Sequence, residues 1–207
     1  QFVHVRIPSQ SCYLRRPLSL AATDSEQGTI EIIAKVLGKG TFDLSKILEG
    51  DTLDILGPLG QPWPQLKISE KVAMVGGGVG FPPLFYYAES LIKNKDIYFF
   101  YGGRSSDDIL EEQRLMQRVS NLFVSTDDGS KGQPGLVTEL FSKALTHWKP
   151  DVVLTCGPTP MMKAVAHICR QKEILCYASL EERMGCGVGV CIGCVTPTVR
   201  GLERVCT

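Results

Sequence analysis

From Lys71 to Lys172 the chain passes four times from a short apolar run into a helix-forming stretch. "KVAMVGGGVG" leads into "PPLFYYAESLIKN", "DIYFFYGGR" into "DDILEEQRLMQRV", "NLFVSTDD" into "GLVTELFSKAL", and "DVVLTCGP" into "TPMMKAVAHICRQK". "ILCYASLEER" adds a last strand. Short apolar runs closed by glycine or aspartate predict buried strands, and the stretches between them predict helices. Alternation at this pitch constrains the fold to an α/β doubly wound parallel sheet with right-handed crossovers.

The first 66 residues have a different texture. "FVHVRI" sets Val3, Val5 and Ile7 against Phe2, His4 and Arg6. "GTIEIIAKVLG" and "DTLDIL" are further β-rich runs between turn residues, so a small β-barrel or sandwich is expected. "GPLGQPWPQ" reads as a rigid boundary. Three modules result: residues 1–66, 67–177 and a cysteine-rich tail, 178–207. The chain opens on Gln1 with a strand already under way and stops one residue after Cys206. Both ends are therefore expected to be trimmed. Lys plus Arg and Asp plus Glu balance at 22 each, which gives no global field for nucleic acid or an acidic membrane. No apolar run is long enough to span a bilayer.

The tail holds four of the eight cysteines, spaced Cys186-x4-Cys191-x2-Cys194-x11-Cys206. The other four, Cys12, Cys156, Cys169 and Cys176, are scattered, and small buried thiols are the plain reading of Cys156 and Cys169. A reducing cytosol fits this usage better than a disulfide framework. The first three tail cysteines match the ligand run of plant-type [2Fe–2S] proteins. A loop around an anionic centre has to turn N–H groups inward, and Gly185, Gly187, Gly189 and Gly193 permit the dihedrals required. A four-thiolate zinc site is the rival reading; it ordinarily shows two close cysteine pairs, whereas Cys206 has no near neighbour. Met184, Val188, Val190 and Ile192 either shield the centre or belong to the core.

Gly76, Gly77, Gly78 and Gly80 stand between a strand and a helix. Such a loop lets a pyrophosphate approach the backbone and the free N–H groups of the helix. The match to G-x-G-x-x-G fails at Phe81, and a tight packing turn is the alternative. "YGGRS", "STDDGSKG" and "CGPTPMM" also follow strands, at the sheet edge where ligands bind. Arg104 suits a phosphate, and Asp127 or Asp128 a ribose hydroxyl, though each is also an ordinary exposed loop residue. In "LRRPLSL", Arg16 beside Pro17 and Ser19 offers a guanidinium fork and a hydroxyl, while "VLGKGT" reads as a tight turn. A surface arginine pair and a hairpin would look the same.

In this order the motifs resemble the ferredoxin-reductase superfamily. "SLEERMGCGVGVCIGC" with a late "RVC" is similar to the electron-transfer subunits of the dihydroorotate dehydrogenase B family. The resemblance covers nearly the whole chain and implies a β-barrel FAD domain with its N-terminal part missing, an NAD domain, and a [2Fe–2S] module whose C-terminal strand is missing. It implies that Arg16, Pro17, Leu18 and Ser19 hold the flavin edge and FAD phosphates. Ile33, Ala34 and Lys35 would line flavin and pyrophosphate, with Gly40 and Thr41 closing over the latter. The NAD site would be Gly76, Gly77, Gly78, Gly80, Gly102, Gly103, Arg104 and, in the "CGPTPMM" stretch, Cys156, Gly157, Pro158 and Met161. Cys186, Cys191, Cys194 and Cys206 would ligate the cluster. Lys35 stands where arginine is common, and "GPLGQPWP" replaces the family's "GPLGNGF", a form closer to sulfide dehydrogenase and ferredoxin:NADP oxidoreductase subunits. Those relatives use a cysteine run with an aspartate, which this tail lacks.

The implied role is an electron relay in a cytoplasmic heterotetramer of pyrimidine biosynthesis, between NAD⁺ and a partner FMN subunit that oxidises dihydroorotate. No acid–base residue for dihydroorotate is expected in this chain. A sulfide- or ferredoxin-linked NAD(P)H oxidoreductase subunit, and a redox-sensing iron–sulfur module, are the alternatives. The absence of a basic cluster beyond Arg104 after the second strand favours NAD over NADP.

Overall fold

The N-terminal run forms a strand, β1 (Phe2–Val5), in the computed structural model, which describes residues 1–9, 12–66, 70–91 and 96–207. β1 pairs antiparallel with β2 (Arg16–Asp24) on one side and β4 (Ile55–Leu59) on the other. β3 (Thr29–Ile32) pairs with β2 and completes a sheet in the order β3-β2-β1-β4. Val3, Val5 and Ile7 are buried, as the alternation requires, and so are Leu20 and Ala21 of β2. His4, on the opposite face by that same alternation, is nevertheless at 0% exposure.

Two expectations for this region are corrected. "VLGKGT", read as a tight turn with a hydroxyl, leads into a short helix, α1 (Lys39–Leu44). The Thr41 hydroxyl accepts the N–H groups of Leu37 (2.9 Å) and Gly38 (3.2 Å), so a side chain satisfies amides that a strand ladder would have taken. "DTLDIL" lends only Ile55 and Leu56 to β4.

The alternating region forms a six-stranded sheet, all of whose neighbours are parallel. Its strands are β5 (Lys71–Gly77), β6 (Asp96–Gly103), β7 (Asn121–Thr126), β8 (Gln133–Pro134), β9 (Val152–Cys156) and β10 (Leu175–Ser179), in the order β10-β9-β5-β6-β7-β8. β5 and β9 are buried along almost their whole length, as central parallel strands have to be. Helices α4 (Val137–Ala144) and α5 (Thr159–Gln171) set Leu140, Phe141, Val165 and Cys169 against Ala73, Val75, Phe100 and Val153. Leu84 of α2 (Pro82–Leu91) packs with Phe99, which points the other way from Phe100. Helices thus cover both faces.

Residues 92–94, the end of the first expected helix, lie outside the described residues. The helix expected over "DDILEEQRLMQRV" shrinks to α3 (Glu112–Met116) after a 3₁₀ turn at Ser106–Asp108. Between them Leu110 N–H donates to the Tyr101 hydroxyl (3.2 Å) and Ile109 is buried, which ties this stretch to the sheet.

The tail contains a hairpin that its sequence did not announce, β11 (Val195–Thr198) and β12 (Gly201–Arg204). Residues Gln1–Pro64 and Glu181–Thr207 form one compact unit, and Gln65–Leu180 the other. Among the described residues no helix is long and apolar enough to cross a membrane.

Candidate cofactor sites

The hairpin explains the eleven-residue gap between the last two tail cysteines. Val195 pairs with Arg204, and Val205 N–H donates to the Cys194 carbonyl (3.1 Å), so Cys194 and Cys206 meet at its base. Both are 2% exposed, and burial together with the neighbouring Cys194 thiol pushes the Cys206 thiol up. Cys186 and Cys191 form a second couple. The Cys186 sulfur accepts N–H groups from Val188 and Cys191, each at 3.4 Å. These donors hold its thiol down at about 6. The two couples lie within electrostatic reach, since Cys186 acts on Cys206.

Among the described residues, no three Cys, His, Asp or Glu groups converge as one ion would require. Two couples of thiols suit a two-iron centre with two thiolates per iron, and suit a single tetrahedral zinc less well. The residues present therefore fit a [2Fe–2S] group. Val188 (47% exposed), Val190 (79%) and Ile192 (65%) do not enter the core. The glycine-bearing loop turns its N–H groups toward the Cys186 sulfur and leaves these side chains outward.

In the parallel sheet the strand order reverses between β5 and β9, which places a crevice at their carboxyl ends. The two loops there touch backbone to backbone. A Cβ on Gly80 would come 2.5 Å from the Cys156 carbonyl oxygen, and one on Gly77 would come 2.6 Å from the Met161 sulfur and 2.8 Å from Pro158. Gly157 has φ +149° and lies against Gly77. Gly78 has φ +52° and faces open space. Gly76, Gly77, Gly78, Gly80, Cys156, Gly157, Pro158 and Met161 are thus brought together.

At β6, Gly102 makes room for Val137 and Gly103 for Asp108. Arg104 is 78% exposed along its side chain and pairs with Asp108 (3.3 Å). Asp128 turns its carboxylate to Ser130 N and Oγ, and these donors lower its pKa. Cys156 and Cys169 are each 1% exposed. The neighbouring Cys176 thiol, together with burial, pushes the Cys169 thiol up.

In the β-unit, Leu20 pairs with Ile32, so Arg16–Ser19 and Ile33–Lys35 leave the β2–β3 ladder at the same end. Arg16 donates to the Leu14 carbonyl (2.8 Å), and a Cβ on Gly40 would come 2.9 Å from its Nε. A glycine at 40 lets the guanidinium lie over α1, beside Thr41. The neighbouring Arg15 is committed elsewhere: it grips the Asp54 carboxylate at 2.7 Å and holds its pKa down.

Comparison with known proteins agrees with this division. Residues 1–63 match the oxidoreductase FAD-binding domain, 74–167 the oxidoreductase NAD-binding domain, and 181–207 the iron–sulfur cluster binding domain of dihydroorotate dehydrogenase B. The electron transfer subunit of dihydroorotate dehydrogenase B (NAD(+)) from Shouchella clausii is 41% identical over all of this chain and 81% of its own length. The chain belongs to the dihydroorotate dehydrogenase B electron transfer subunits. The Clostridium perfringens member is 36% identical over the same shares of the two chains. A chain of the NADH-dependent reduced ferredoxin-NADP oxidoreductase structure is similar at 33% identity, with TM-score 0.86, over 100% of this chain and 74% of its own. An Amycolatopsis cytochrome P450 reductase, at 20% identity and TM-score 0.71, shares the fold.

Like its relatives, this family member carries FAD-binding, NAD-binding and iron–sulfur domains, but sequence reasoning missed Tyr101. Its hydroxyl is hydrogen-bonded to the carbonyls of Gly78 (3.3 Å) and Asp108 (3.1 Å) and accepts from Leu110. Burial pushes the phenol's pKa up, so it stays a donor. A tyrosine inside an aromatic strand gives no sequence signal of such a role. Tyr101→Phe is expected to lower stability by roughly 1–3 kcal/mol, the cost of leaving buried backbone groups unmet. It should also weaken NADH binding by loosening Gly78; thermal melts and an NADH titration of the flavin spectrum check both.

Proposed function

We propose that this chain takes the electrons released when a partner FMN subunit oxidises dihydroorotate to orotate, and delivers them to NAD⁺. Two electrons leave dihydroorotate, and two, with one proton, reach NAD⁺. The reading rests foremost on one observation: the hairpin brings Cys206 back to Cys194, in the compact unit that also holds the Cys186–Cys191 couple and in which Arg16 meets Gly40. The bound groups supply the chemistry, since flavin exchanges paired electrons with nicotinamide and single electrons with an iron–sulfur centre.

The chain's own residues bind and orient. Arg16 offers its guanidinium to the FAD phosphates, with Pro17, Leu18, Ser19, Ile33, Ala34, Lys35, Gly40 and Thr41 completing the cradle. Gly78 presents bare backbone at the sheet crevice, and Gly76, Gly77, Gly80, Gly157, Pro158 and Met161 shape the NAD site around it. Arg104, exposed at the β6 end, is placed to meet an anionic group there. Cys186, Cys191, Cys194 and Cys206 hold the cluster.

The exposed Val188, Val190 and Ile192 around Cys191 form an apolar rim suited to a catalytic partner, in a heterotetramer. Free thiols and no paired cystines suit a reducing compartment, the cytoplasm.

An absorption spectrum of anaerobically purified full-length protein, before and after NADH, with iron and zinc assayed, tests the reading. Flavin and iron–sulfur bands that bleach, with about two irons per chain, are expected. NAD⁺ reduction by dihydroorotate should then appear only when the FMN subunit is added. A colourless protein with one zinc would overturn the proposal.

A further inference from the structure

His4 has a fully buried ring, and among the described residues neither of its nitrogens has a hydrogen-bond partner. Buried polar groups in native proteins are ordinarily paired, so two idle nitrogens on one ring call for an explanation. Burial, and after it the Arg15 guanidinium, lowers the pKa of the ring. Neutral or protonated, the imidazole carries an N–H to donate.

The edge bearing Cε1 and Nε2 lies against the cysteine loop. A Cβ on Gly187 would come 2.9 Å from Cε1 and 3.0 Å from Nε2. Gly187, at φ +72°, directly follows Cys186. Phe2, whose ring is 5.7 Å away, and Pro17 and Leu56, alongside on the adjacent strands, carry no acceptor side chain. Arg15 reaches the His4 carbonyl, not its ring. On the loop, the N–H groups of Val188 and Cys191 are donors already engaged with the Cys186 sulfur. Neither nitrogen reaches a backbone carbonyl or a cysteine sulfur of the described residues, which leaves the sulfurs of a bound centre as the acceptor.

We propose that the His4 side chain donates its N–H to a sulfur of the [2Fe–2S] centre held by the tail cysteines, and so raises that centre's reduction potential. The inference rests on the relay reading above. A hydrogen bond to sulfur favours the reduced centre, which carries one more negative charge. His4 is a positioning residue: it sits on the strand that pairs with Arg16–Ser19 and acts on the cluster through its environment.

The test uses the full-length protein with its cofactors, as wild type, His4→Phe and His4→Gln. Redox titration followed by EPR reads the cluster and flavin midpoints separately. In His4→Phe the cluster equilibrium is expected to shift about tenfold toward the oxidised form, about 59 mV for one electron, with the flavin midpoint unmoved. His4→Gln, which restores a donor, should recover most of the shift. With ¹⁵N-histidine, pulsed EPR of the reduced centre should show a nitrogen coupling in wild type that is absent from His4→Phe.

Unchanged cluster midpoints in both variants, or a shift confined to the flavin, would overturn the inference. Should His4→Phe lose its cluster, the wild-type nitrogen coupling and the His4→Gln midpoint decide. A wild-type protein with no [2Fe–2S] signal would overturn the relay reading as well, an outcome distinct from an unmoved midpoint.

Discussion

Cys206→Ser is expected to empty the iron–sulfur site while leaving NADH able to bleach the flavin. Cys206, the proposed ligand farthest from the others in sequence, comes beside Cys194 only because β11 and β12 pair. Serine keeps the hairpin and removes one soft thiolate. Losing a supporting contact around a bound metal already costs 10–100-fold in affinity or activity. Losing a ligand should exceed that, so iron should fall from about two per chain toward none. Electron delivery between the partner and NAD⁺ should drop by more than about 100-fold. Iron assay, EPR of the reduced protein and NADH-driven flavin bleaching separate these effects. Unchanged iron in the serine variant would mean that Cys206 is only a core thiol.

The second large effect is expected at Gly80. A methyl there would collide with the Cys156 carbonyl oxygen and the Gly157 backbone at 2.5 Å, and backbone has no rotamer by which to yield. Gly80→Ala should therefore cost about 1–3 kcal/mol as overpacking, or several degrees in the thermal midpoint. It also pushes apart the two loops that frame the NAD crevice. A displacement of about 1 Å is enough to slow a positioned reaction roughly 100-fold.

Gly78→Ala is the contrast. Nothing lies within 4 Å of its Cβ direction, so only its φ of +52° opposes alanine, at about 1 kcal/mol. Stability should fall little, while NADH binding suffers because the methyl enters the open space of the crevice. Melting curves and single-turnover flavin reduction by NADH distinguish the two. If Gly80→Ala melts and reacts like wild type, the loops are looser than their contact implies.

How much of this was legible in the sequence depends on the range of the interactions. The glycine loop after β5, the strand–helix alternation and the Cys186-x4-Cys191-x2-Cys194 run are local: a few adjacent residues carry both the signal and the geometry. The alternation also held at β5 and β9, because a central parallel strand needs apolar residues on both faces. Legibility failed where a side-chain hydroxyl, rather than the backbone ladder, satisfied an amide. The Tyr101 hydroxyl takes the Leu110 amide and shortens the expected helix to α3. The Thr41 hydroxyl takes the amides of Leu37 and Gly38 and replaces a turn with α1.

The sequence by itself determined the parallel sheet, the glycine crevice and the sulfur-rich chemistry of the tail, because spacing and periodicity encode contacts within one element or one turn. Only the tertiary structure decided that Cys206 returns to Cys194, and that His4 lies buried beneath Gly187. The first depends on pairing two strands, and the second brings together positions almost the whole chain apart. No local pattern records such a meeting, since it arises from the packing of surfaces that form only once each element has folded.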